Sequence, residues 1–193
     1  AIDTETDSLD PMQAKLVGVS VAINVGKAFY IPLAHATGNQ LDVKIFEKYF
    51  GPILKNSAIK KYMHHAKFDQ LVLEQAGFEI HGVAFDTMIA ASLVTKEWEK
   101  NGLKELSQQF FDETMLTYQD MVKEHKAKDF SQIPTDVATK YAAADAHQTL
   151  KLVSVFTQEL KKQEMEELFY GIELPVNDVL VAMQKEGIVC DKD

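Results

Sequence analysis

Asp3, Glu5, Asp7 and Asp10 crowd the opening stretch AIDTETDSLD, directly after an apolar start. Like charges packed this closely repel, so the cluster is either a well-solvated acidic loop or a site that expects a cation. Asp3 and Glu5 stand two apart in what reads as a strand, which projects both side chains from one face. No lysine lies between them to compensate. Without a metal such a pair raises one pKa sharply or destabilises the strand, whereas a hard cation suits both carboxylates. Two further carboxylates come from Asp69, early in a helical pattern, and Asp145, within a long one. Tyr141 precedes Asp145 by four, so phenol and carboxylate share a helical stripe. Singly, each has an ordinary reading: Asp69 as a solvated or capping residue, Asp145 as a surface charge, Tyr141 as a core-edge aromatic. Asp7 and Asp10, beside Ser8 and Pro11, read as turn residues.

Composition narrows the chemistry. A formal net charge of -9 argues against a large basic surface for nucleic acid. There is no arginine, so bidentate guanidinium forks on phosphate are unavailable and metal ions must meet most phosphate charge. Cys190 is the sole cysteine, which excludes an intrachain disulfide and suits a reducing cytoplasm. No apolar run reaches the roughly 18 residues of a membrane span, and no export signal is present, so a soluble protein is expected. The 193 residues suit one globular domain. Because Ala1-Ile2 opens inside an apparent strand, the chain is expected to belong to something longer.

The elements that must position these residues are legible in outline. Residues 15–33 alternate around Gly26-Lys27 as a hairpin and, with residues 1–5, predict three neighbouring strands. Residues 42–55 predict a helix that Pro52 ends or bends. A short strand near 59–63 precedes the helix AKFDQLVLEQAG, stopped at Gly77. Asp86 is a plausible N-cap after a second short strand, and GLKELSQQFF reads as a short helix. Residues 116–134 show little periodicity and predict a long mobile loop whose lysines could meet a phosphate backbone. A long helix from Thr135 carries Ala142, Ala146, Leu150, Val153 and Leu160 on one stripe and Tyr141, Asp145 and Gln148 on another. Together these describe an α/β domain with a mixed sheet.

DTETDSLD at 3–10, HHAKFDQLVL around Asp69, AFDTM at 84–88 and KYAAADAHQTLKL around Tyr141 and Asp145 resemble a known family. It is the 3'-5' proofreading exonuclease domain of the bacterial DNA polymerase I family, in the tyrosine subclass of the DEDD superfamily. The resemblance covers nearly the whole chain. It implies a ribonuclease-H-like fold: an antiparallel three-strand meander plus parallel strands in a mixed sheet, flanked by helices. It implies Asp3, Glu5, Asp69, Tyr141 and Asp145 as catalytic residues, with the four carboxylates holding two divalent ions, Mg²⁺ or Mn²⁺, and Asp3 bridging them. Tyr141 would orient the attacking water. Thr4, Thr6, Leu9, His65, Phe68 and Tyr118 would contact the substrate, with Leu9 as a wedge and Tyr118 stacking. His65 and Phe68 depart from the asparagine and tyrosine common in the family. The implied substrate is a single-stranded or frayed 3' end of DNA. The division is residues 1–172 as exonuclease domain and 173–193, with Pro175 near the boundary, as lead-in to a polymerase domain. The expected setting is a monomeric domain in the bacterial cytoplasm, associated with the nucleoid. An RNA-processing exonuclease and a catalytically silent scaffold are the alternatives.

Overall fold

A computed structural model describes residues 1–191. Strands β1 (Ile2–Thr6), β2 (Leu16–Asn24) and β3 (Lys27–Pro32) form an antiparallel meander in that order. The β2–β3 hairpin closes at Gly26, whose φ of +87° is the left-handed conformation that tight hairpins need and side chains resist. Strands β4 (Lys61–Met63) and β5 (Val83–Asp86) make a separate parallel pair, with β4 next to β1. The mixed α/β architecture expected from the sequence is what the chain adopts.

Helix α1 (Val43–Lys55) starts where the Asp42 carboxylate accepts from the Lys44 amide at 2.7 Å, and it buries Phe46 and Leu54. It runs three residues past Pro52, so the proline does not end it. Helices α2 (Ala66–Gln75), α3 (Thr87–Val94) and α4 (Leu103–Phe111) follow.

Residues 116–134 are not the loop that weak periodicity predicts. They contain α5 (Tyr118–His125) and a 3₁₀ turn (Phe130–Gln132). Thr117 and Asp120 form a reciprocal capping box at the start of α5. Met121, Phe130 and Ile133 are buried in one cluster with Tyr30 and Tyr141. An eight-residue helix that buries a single side chain leaves almost no periodic trace, whereas the Thr-x-x-Asp cap was readable.

Helix α6 (Thr135–Lys162) lies across all three meander strands. Ala138, Ala142 and Ala146 let its backbone approach the sheet, and Leu152, Phe156 and Leu160 continue the buried face beyond it. Tyr141, Asp145 and Gln148 are buried as well, so the covered sector is wider than a single stripe. After α7 (Glu166–Leu168) and a π-turn (Phe169–Glu173), α8 (Leu174–Glu186) packs on α2. Buried Asn177 donates to Gln70 there, and Gln70 donates to Asp178 at 3.1 Å. Pro175 falls in the first turn of α8, directly after the π-turn.

Candidate active site

Strand β1 delivers Asp3 and Glu5 to the face on which α6 lies, and α6 delivers Asp145. One ligand oxygen from each of the three lies within 4.8 Å of the others. Small residues on β2 make the room. Ser20 pairs with Asp3 and its hydroxyl donates weakly to Oδ2 at 3.5 Å. Gly18 pairs with Glu5, and a Cβ there would stand 2.2 Å from the Tyr30 hydroxyl oxygen.

Asp69, in the first turn of α2, approaches from the other edge of β1. Its Oδ1 accepts from the Thr4 amide at 3.0 Å and the Thr4 hydroxyl at 2.6 Å. The carboxylate thus takes a β1 edge amide that a neighbouring strand would otherwise use. Asp69 stands outside the mutually close trio, yet its charge reaches Asp3.

Burial, reinforced by neighbouring like charge, holds Asp3 and Glu5 well above the ordinary carboxylate range. Burial pushes Asp69 up to about 7 against the two Thr4 hydrogen bonds, and raises Asp145 against the pull of Lys104. The Glu5 Oε1 is buried without a hydrogen-bond partner. Four oxygen-donor side chains, three of them in mutual reach and one with an orphaned oxygen, fit a hard divalent cation.

Lys104 is the charged cleft residue that sequence reasoning passed over. From the first turn of α4 its ammonium makes an ion pair with Asp145 Oδ1 and lies 4.4 Å from the centroid of the Tyr141 ring. A signal existed: a lysine in a first turn sits at the end of the helix dipole that disfavours cations. Burial and the adjacent Asp145 raise the Tyr141 hydroxyl far above its usual value, so it remains a neutral hydrogen-bonding group at physiological pH.

These residues line a cleft of about 380 Å³ together with Thr4, Thr6, Leu9, His65, Phe68 and Tyr118, so every site residue expected from the sequence faces one space. Leu9 is 84% exposed at the rim. The Thr4 and Thr6 hydroxyls already donate, to Asp69 and to the Ser8 carbonyl, and retain only acceptor capacity. The rings of His65 and Phe68 stack with centroids 6.1 Å apart.

His65 adopts a left-handed backbone, φ 67° and ψ 51°, as it starts α2. Histidine and asparagine are among the non-glycine residues most often found there. Histidine therefore takes this backbone conformation at little cost. His64 beside it was also unforeseen: it is buried, pairs Nδ1 with the Thr87 hydroxyl at 2.8 Å, and is pushed down to about 3 by desolvation.

Asp86, quoted above in AFDTM, anchors this corner without joining the carboxylate cluster. Its carboxylate accepts from four amides: His65 at 3.2 Å, Ala66 at 2.6 Å, Met88 at 2.8 Å and Ile89 at 3.2 Å. One buried side chain therefore caps α2 and α3 together and sets where α2 presents Asp69. Asp86→Ala strands buried amides at two helix starts, and its expected cost is about 3–5 kcal/mol of stability, read from denaturant midpoints.

The fold and the site define a nuclease, and comparison with known proteins identifies the kind. The chain belongs to the 3'-5' exonuclease family, whose model matches residues 1–161. The DNA polymerase I of Chloroflexus aurantiacus is 37% identical over 199 aligned residues, which take in all of this chain and 21% of that protein. The chain spans about a fifth of the length of the curated relatives it matches. Among solved structures, the POL domain of Pol1 from M. smegmatis in complex with DNA primer-template and dNTP superposes with a TM-score of 0.76 at 22% identity. That match covers 98% of this chain and 29% of the other. Brucella melitensis NrnC with bound Mg²⁺ superposes at 0.67 with 24% identity, over 100% of this chain and 89% of its own. At these identities both structures speak to fold alone. Among the described residues, no helix is long and apolar enough to cross a membrane.

Proposed function

We propose that this chain removes nucleotides from the 3' end of single-stranded or frayed DNA as the proofreading domain of a DNA polymerase I-type enzyme, releasing nucleoside 5'-monophosphates. The observation that carries the reading is the convergence of Asp3 and Glu5 from β1 with Asp145 from α6 in a cleft that Tyr141 also lines. Asp3, Glu5 and Asp145 would hold one divalent ion. Asp69, fixed by Thr4, would join Asp3 in holding a second. Bound Mg²⁺ or Mn²⁺ would supply Lewis acidity toward a water and neutralise charge on the leaving 3' oxygen.

The chain's own residues do the rest. Tyr141, locked neutral, orients the water through its hydroxyl. Leu9, His65, Phe68 and Tyr118 offer apolar and aromatic faces to the terminal bases, which gives sequence-tolerant grip. A mispaired end is favoured because unpairing it costs less. The chain spans about a fifth of relatives named DNA polymerase I, which supports reading residues 173–193 as leading to a linked polymerase domain. That domain would grip the duplex that a chain of net charge -9 holds poorly. Such a protein works in the bacterial cytoplasm, at the nucleoid.

The test is release of 5'-mononucleotides from single-stranded DNA labelled at its 3' end, with Mg²⁺ and with chelator, beside a matched RNA strand. Faster trimming of the RNA would favour the RNA-processing alternative. No trimming of either, without saturable divalent binding, would favour the silent scaffold. In the same assay Tyr141→Phe is expected to slow the single-turnover rate roughly 10–100-fold while leaving metal binding intact. An unchanged rate removes its orienting role.

A further inference from the structure

Lys104 is the only lysine among the described residues that line the cleft, in a chain that has no arginine. Its ammonium engages the Asp145 oxygen that the carboxylate trio would offer to a cation, and its charge also reaches Asp3 and Glu5. Its side chain retains 24% exposure, against 11% for that of Asp145. The side chain is thus not sealed in, and its flexible four-carbon stem lets the ammonium leave Asp145 by rotamer change without backbone movement.

We propose that Lys104 is a tethered competitor of the divalent ion: its ammonium occupies the cation position at Asp145, and metal binding must displace it. The inference rests on the metal reading of the site given above. A monovalent and a divalent cation sharing one carboxylate oxygen in a low-dielectric cleft repel strongly, so the two states exclude each other. In the lysine-bound state the carboxylates keep their geometry without an ion. Lys104 thereby sets the free-ion concentration at which the site loads, and on release it remains in the cleft that the terminal phosphate enters. It is a positioning residue whose effect runs through Asp145.

Calorimetric titration of Mn²⁺ into the 193-residue chain tests this, without substrate, in wild type, Lys104→Met and Lys104→Arg. Removing the competing charge is expected to tighten the first ion by about tenfold in Lys104→Met. Retaining the charge keeps Lys104→Arg within roughly threefold of wild type. A merely structural role predicts the opposite sign, since a disordered site binds metal more weakly. Equal or weaker binding by Lys104→Met overturns the proposal. Absence of saturable binding in both wild type and Lys104→Met overturns the metal reading itself and the proposal with it. Should Lys104→Met fail to fold, Lys104→Gln removes the same charge with a polar side chain and is judged by the same two outcomes.

Discussion

Asp3→Ala is expected to lower 3'-end hydrolysis by at least about a thousandfold while leaving the fold intact. Asp3 is the carboxylate best placed to serve both proposed ions, since it belongs to the trio with Glu5 and Asp145 and Asp69 is the neighbouring charge it feels most strongly. Losing a shared ligand removes several kcal/mol of charge stabilisation, and each ~1.4 kcal/mol is a factor of ten in rate. The same change has a second signature of opposite sign. In the metal-free protein the charge of Asp3 opposes those of Glu5, Asp69 and Asp145. Metal-free Asp3→Ala should therefore melt no lower than wild type at pH 8, whereas Mg²⁺ should raise its melting temperature less. A variant that trims DNA at the wild-type rate, or that unfolds outright, would sink the assignment of Asp3.

The second large effect is a pH dependence that the metal abolishes. Asp3, Glu5, Asp69 and Asp145 all have folded-state pKa values above their ordinary ones, with Asp69 at about 7 against 3.8. Raised carboxylates bind protons more tightly in the folded chain, so their contribution is fully present below about pH 4. It is lost as pH rises through each folded value, about 7 for Asp69, because charged carboxylates are then confined together. With chelator, the melting temperature is expected to fall by roughly 5–10 °C between pH 5 and pH 8, corresponding to a few kcal/mol. Saturating Mg²⁺ should recover most of the loss at pH 8 and change little at pH 5, where protons compete with it. Asp69→Asn should flatten part of the slope in chelator. A metal-free stability that is level or rising over this interval would contradict strained carboxylates at this site.

Much of the site was legible because its parts obey local rules. A period of two places Asp3 and Glu5 on one face, and a spacing of four stacks Tyr141 over Asp145. Asp86 reads as a cap from its place between strand and helix, although its second task, holding the start of α2, depends on residues 20 and 21 positions away. The short helix α5 is invisible to periodicity because it buries only Met121, and its one local mark is the Thr117–Asp120 capping box.

By itself the sequence determined which side chains could bind a cation, that arginine could not share the task, and that strands and helices would alternate around them. Which of those carboxylates meet was decided only when α6 settled on the meander: its alanines let Asp145 down onto Asp3 and Glu5, and Gly18 and Ser20 leave the space beneath. Tertiary packing also brought Lys104 to Asp145 across 41 residues of chain. Local periodicity is set by bonds along one segment, whereas the pairing of charges from different segments depends on how closely their backbones can approach. That distance is fixed by the size of side chains on elements remote in sequence.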